Sequence, residues 1–261
     1  MAAHFGLLLQ FAVVLGLCAS PAAHAGRTCE ATKTTLRSVE RGLALAEKTL
    51  AALNASGQKV VVLARAGQDL GKYGLQYSHL GFAYQQSGHD GRNTWRVVHK
   101  LNECGTSVSA IYRQGLGEFF MDDLWRYEAA CLLELLQTSG RATSLHHKPY
   151  SIVSYVWGQK YQQSNQWAIE TLAAAIGPGV ATRQQAQAWL NASGYEPTTL
   201  KLGPLTRLGG RVTAANIAFD DHPDEKRFSS RIETVTVDSV FSWLQRAQIS
   251  PPGQTPRVVK L

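Results

Sequence analysis

The chain has 261 residues, 44% of them hydrophobic and 17% charged, with 23 glycines and 9 prolines. That balance excludes a disordered polyampholyte and a collagen-like or low-complexity chain, and it leaves enough length for one substantial core. The formal charge is +7, yet Lys and Arg are scattered and form no cluster interleaved with aromatics, which excludes a nucleic-acid-binding signature. Weak attraction to an anionic envelope surface stays open.

Residues 1–25 contain no Lys, Arg, Asp or Glu, and the run from Phe5 to Ala19 is almost wholly apolar. Ala23-His24-Ala25 closes it with the small residues of an A-x-A cleavage site. The run is shorter than the roughly 20 residues a spanning helix needs. The reading is a signal peptide over 1–25, with a mature chain from Gly26 that is exported, periplasmic or secreted, and has no stable membrane span. Cys29, Cys104 and Cys131 remain after the leader. Cys131 lies in apolar Ala129-Ala130-Cys131-Leu132-Leu133 and reads as a buried thiol, so Cys29 and Cys104 are the expected disulfide in an oxidising compartment.

Residues 30–54 read as an amphipathic helix, because Leu36, Val39, Leu43, Ala46, Leu50 and Leu53 recur at three- and four-residue steps. Val60-Val61-Val62-Leu63 is a short continuous apolar run, the pattern of a buried strand. Ser78–Tyr84 and Thr94–Leu101 form a hairpin across the polar stretch 85–93. Within residues 108–137, a helix is expected over Asp123–Gln137. Tyr150–Trp157 is expected to be extended. Ser164–Ile176 and Thr182–Asn191 are helices, Ile232–Val237 a strand, and Asp238–Gln248 a last helix. Residues 26–249 then make one α+β domain, a small antiparallel sheet packed by helices, and 250–261 a frayed tail.

The hairpin carries two histidines. Side chains alternate along a strand, so His79, Gly81 and Ala83 share one face, as do Trp95, Val97, His99 and Leu101. A register that opposes Trp95 to Ala83 and Val97 to Gly81 sets large against small and brings His79 close to His99. An inward histidine needs a hydrogen-bond partner, which another imidazole can supply. Two structural histidines are the plain alternative to a site. Downstream, Ser164 opens the best helix of the chain. Its hydroxyl is a candidate N-cap, or a candidate nucleophile in the positive field of the helix start, where a developing anion is stabilised.

Tyr77-Ser78-His79-Leu80-Gly81, a polar residue on the next strand, and Gln163-Ser164-Asn165-Gln166-Trp167 together resemble the circularly permuted NlpC-type papain-like hydrolases. The lecithin:retinol acyltransferase-like proteins share that order. The resemblance implies a papain-like fold with His79 as base and His99 as its orienter. The expected cysteine, however, is Ser164. The chain more closely resembles an exported bacterial family, the domain of unknown function 2145, through Tyr77–Ala83, Tyr161–Trp167 and Asn216-Ile217-Ala218-Phe219-Asp220-Asp221-His222-Pro223.

Gln68, Asp69 and Gln163 are secondary candidates. Gln68 or Gln163 could serve an oxyanion and Asp69 could orient His79, with a loop cap the plainer role for Gln68-Asp69. Asp220-Asp221-His222-Pro223 reads as a turn. No Walker motif, dinucleotide fingerprint or zinc-ligand cysteine spacing is present, and no cofactor is expected. Three functions follow. One is a degenerate papain-like cleft, its cysteine replaced by Ser164, that binds an envelope peptide, glycan or protein. Another is a Ser164/His79/His99 hydrolase or acyltransferase acting on an envelope amide or ester. The last is a metal site on His79 and His99 plus a carboxylate. The first is favoured, because replacing a nucleophilic cysteine by serine usually disables such a site.

Overall fold

The computed structural model describes residues 35–103, 105–120, 143–249 and 257–261. Helix α1 (Leu36–Ala55) leads to a four-stranded antiparallel sheet in the order β1 (Val60–Arg65), β2 (His79–Ser87), β3 (Asn93–Asn102), β4 (Ser109–Gly115). A short helix α2 (Leu116–Phe120) follows. Then come α3 (Ser164–Ile176), α4 (Arg183–Ala192), β5 (Thr198–Lys201), α5 (Pro204–Thr213), α6 (Asp224–Phe228), β6 (Arg231–Thr234) and α7 (Val237–Arg246). β5 and β6 pair as a separate antiparallel ribbon. The expected mixed α+β fold with a small antiparallel sheet is what these elements build.

Each face of the main sheet has its own cover. On one face Leu80, Val98 and Ile111 pack under Trp167, Ala168 and Ile169 of α3, with Trp243 of α7 in the same core. On the other, Ala83, Trp95 and Val97 pack under Ala46 and Leu53 of α1 and Leu116 and Phe119 of α2. A smaller core holds Leu202, Phe219 and Ile232 under the ribbon.

Several expectations are corrected. α1 turns Gly42, Ala46, Thr49 and Leu53 inward, whereas Leu36, Leu43 and Leu50 stay exposed. Small side chains at the first three positions let the helix lie close, so the buried arc is rotated from the leucine stripe. The valine run forms an edge strand rather than a buried one, and Val60 is exposed. Residues 150–157 are turns, not a strand. The β2–β3 register is shifted by two residues: Ala83 opposes Val97 rather than Trp95. A two-residue shift keeps every side chain on its face, so the histidines still share one. Cys29, Cys104, Cys131 and the helix expected over 123–137 lie outside the described residues. No helix among the described residues is long and apolar enough to cross a membrane.

Candidate functional site

The site begins with a glycine. Gly81 lies beside His99 across the β2–β3 pair, and a Cβ there would fall 2.8 Å from Val97 Cγ1 and 3.1 Å from His99 Cβ. Its bare Cα gives the His99 side chain room to lie over β2. His79 Nε2 then meets His99 Nδ1 at 2.8 Å, and His99 Nε2 meets Gln114 Oε1 on β4 at 2.8 Å. His99 is fully buried and His79 nearly so. The Phe119 ring covers both imidazoles, at 6.0 Å from His79 and 5.3 Å from His99 between centroids. The Arg65 guanidinium lies over the same ring.

With Gln114 Oε1 as the contact atom, the tautomers are assigned as follows. An amide oxygen only accepts, so His99 Nε2 carries hydrogen and donates to Gln114. In a neutral ring His99 Nδ1 then holds the lone pair and accepts from His79 Nε2–H. His79 is left with its lone pair on Nδ1. Burial holds the His79 pKa well below the ordinary 6.5, and the Arg65 charge and His99 push the same way. His79 is therefore a neutral imidazole at neutral pH.

Helix α3 approaches from the other side of the sheet. The β2–β3 pairing stops at Phe82–Val98, and the N–H of Leu80 goes instead to Asn165 Oδ1 at 3.0 Å. The helix start is thereby pinned to the residue after His79. A buried network fixes the chain just ahead of it. Glu170 Oε2 accepts from Arg183 Nε at 2.8 Å and from Gln162 Nε2 at 2.5 Å, and its Oε1 accepts from Gln187 at 2.7 Å. Gln162 Oε1 accepts from the fully buried Lys100 at 2.7 Å.

Ser164 is the first residue of α3, nearly buried, and Gln163 rather than Ser164 holds the cap position. Tyr150 lies against it. Burial raises the Tyr150 pKa, and the polar groups of the neighbouring Ser164 pull part of that back. Convergence is thus partial. His79 and His99 touch, and Ser164 is one residue from a side chain that binds the backbone beside His79. Among the described residues no hydrogen bond joins Ser164 to either imidazole.

Each of the secondary candidates makes a hydrogen bond within the fold. Gln163 donates to Thr234 Oγ1 at 2.6 Å and to the Val235 carbonyl at 2.8 Å, which commits its amide away from a substrate oxygen. Asp69 is exposed and caps a turn through Gly71 N–H at 2.9 Å. Gln68 is exposed, and its N–H donates to Ser78 Oγ at 3.3 Å. His222 Nδ1 bonds Asp221 Oδ1 at 2.9 Å within a turn, while Asp221 Oδ2 accepts from Tyr155 N–H at 2.7 Å. Among the described residues no three His, Cys, Asp or Glu side chains gather as metal ligands. Sequence reasoning missed Gln114, Phe119 and Tyr150. Gln114 had a sequence signal: it is a polar residue in step with Ala110 and Tyr112 in a short alternating stretch.

Fold and site together define a mixed α+β protein with a buried imidazole pair beside a serine-initiated helix. The chain belongs to the family described as uncharacterised protein conserved in bacteria, domain of unknown function 2145, whose model matches residues 52–244. No curated protein and no solved structure matches it.

Proposed function

We propose that this is an exported envelope protein whose papain-like site no longer catalyses and instead binds a peptide, glycan or protein partner. The leader and the two motif likenesses support the class. One observation carries the loss of catalysis. Ser164 makes no hydrogen bond to His79 or His99 among the described residues, and the helix it opens packs on the face of the sheet opposite to the one that carries the imidazoles. A serine hydroxyl is a weak nucleophile until a base takes its proton.

A second reading, a Ser164/His79/His99 hydrolase or acyltransferase, is favoured by the lone pair left on His79 Nδ1 by the His99–Gln114 chain. In it Ser164 attacks, His79 takes the proton and His99 holds the ring. A serine-directed fluorophosphonate probe separates the two. No label at Ser164 is the expected result. Label at Ser164 that disappears in His79→Ala would establish the second reading.

A further inference from the structure

Helix α5 wears its polarity inside out. Its one buried residue is Arg207, which donates to the Arg227 carbonyl. Its other inward contact is Gly210, where a Cβ would meet Ile217 at 3.4 Å. Leu205, Leu208 and Val212 are 83%, 60% and 65% exposed. At three- and four-residue spacing they form one outward stripe. Phe228, the residue after Arg227, is 69% exposed as well. A ten-residue helix that buries an arginine and displays its aliphatic side chains is shaped for something outside the molecule.

The charge along α5 and the segment ahead of it is positive. Residues 197–219 contain Lys201, Arg207 and Arg211 and no Asp or Glu. Arg211 is exposed beside the stripe. Just ahead of α5, Lys201 lies directly opposite Arg231 on the β5–β6 ribbon, and both are exposed. Like charges at opposed strand positions are unfavourable unless an anion lies against them. Among the described residues no ion pair engages Lys201, Arg211 or Arg231. The nearby acids are largely taken: Asp224 pairs with Arg227 and Glu233 with Lys226, leaving Glu225 exposed on α6.

We propose that α5 and the β5–β6 end form a docking face for an anionic lipid bilayer, with Leu205, Leu208 and Val212 entering the headgroup boundary while Lys201, Arg211 and Arg231 meet the phosphates. Apolar insertion beside cations is what retains a surface-lying helix on anionic lipid. The face lies outside the imidazole site, so the proposal stands whether or not that site is catalytic.

The test compares the mature chain with L205S/L208S/V212S and with R211E, in sedimentation with vesicles of zwitterionic lipid alone or mixed with phosphatidylglycerol at low salt. Circular dichroism and thermal melting confirm that the variants are folded. In all three proteins the chain is the mature one from Gly26, because the apolar leader would bind vesicles by itself and mask α5. Binding is expected to the mixed vesicles and not to the zwitterionic ones, with at least about a tenfold loss in the triple variant and a severalfold loss in R211E. Equal binding by the mature chain and the triple variant would overturn the proposal. So would a mature chain that ignores lipid charge, or one that forms a dimer which the triple variant abolishes, since that assigns the face to a second copy.

Discussion

His79 is held neutral by burial, by the Arg65 charge and by His99, and this has a consequence for stability. Below its ordinary pKa of 6.5 the unfolded chain takes up a proton on this ring that the folded chain refuses. A histidine with a depressed folded pKa therefore contributes stability that is whole above 6.5 and is lost as pH falls below it. The slope is up to about 1.4 kcal/mol per pH unit for each such ring. Burial also lowers His146, to about 4, and His147, so they act in the same direction. Replacing His79→Gln should leave a protein whose urea-unfolding free energy declines less steeply than that of the parent as pH falls from neutral. Parallel acid slopes for the two proteins would show that His79 titrates normally in the fold. The pair itself was readable from strand alternation: two histidines on hairpin strands shared a face under any even-numbered register shift. Gln114 and Phe119, which complete and cover the pair, come from a segment whose mixed leucine and aromatic content hid the change from strand to helix.

At the scale of elements, the contact that matters is the one between α3 and β2. Asn165 Oδ1 takes the buried Leu80 N–H at the place where the β2–β3 ladder ends. Asn165→Leu leaves that N–H without an acceptor, at a cost of about 1–3 kcal/mol. Asn165→Asp keeps an acceptor oxygen and should lose less. The measurement is denaturant unfolding of the two variants, and equal stabilities would mean that the hydrogen bond does not hold the helix start. The bounds of α3 agree with the sequence expectation because its Gly-Pro-Gly terminus and apolar spacing are local signals. The buried face of α1 was misread, because the leucine repeat follows the helix period while the packed arc is chosen by the small residues Gly42, Ala46 and Thr49. Tertiary packing selects between two adjacent arcs, and periodicity alone does not.

For the whole molecule, the α+β class was legible, and so was the family likeness, which rests on three short motifs spread over the matched region. What connects the parts was not. Lys100, Gln162, Glu170, Arg183 and Gln187 form one buried polar network from β3, the segment before α3, α3 itself and α4. Their spacings in sequence carry no period that would announce it. That network, with the Asn165 bond, fixes the start of α3, where Ser164 makes no hydrogen bond to His79 among the described residues. The central claim is that this arrangement does not activate a nucleophile at the start of α3. Its most direct measurement is the alkylation of Ser164→Cys by iodoacetamide as a function of pH. An inactive site predicts slow modification that rises only toward alkaline pH, as for an ordinary or buried thiol, and is unchanged by His79→Ala. Rapid alkylation that is flat down to mildly acidic pH and collapses in His79→Ala would contradict the account.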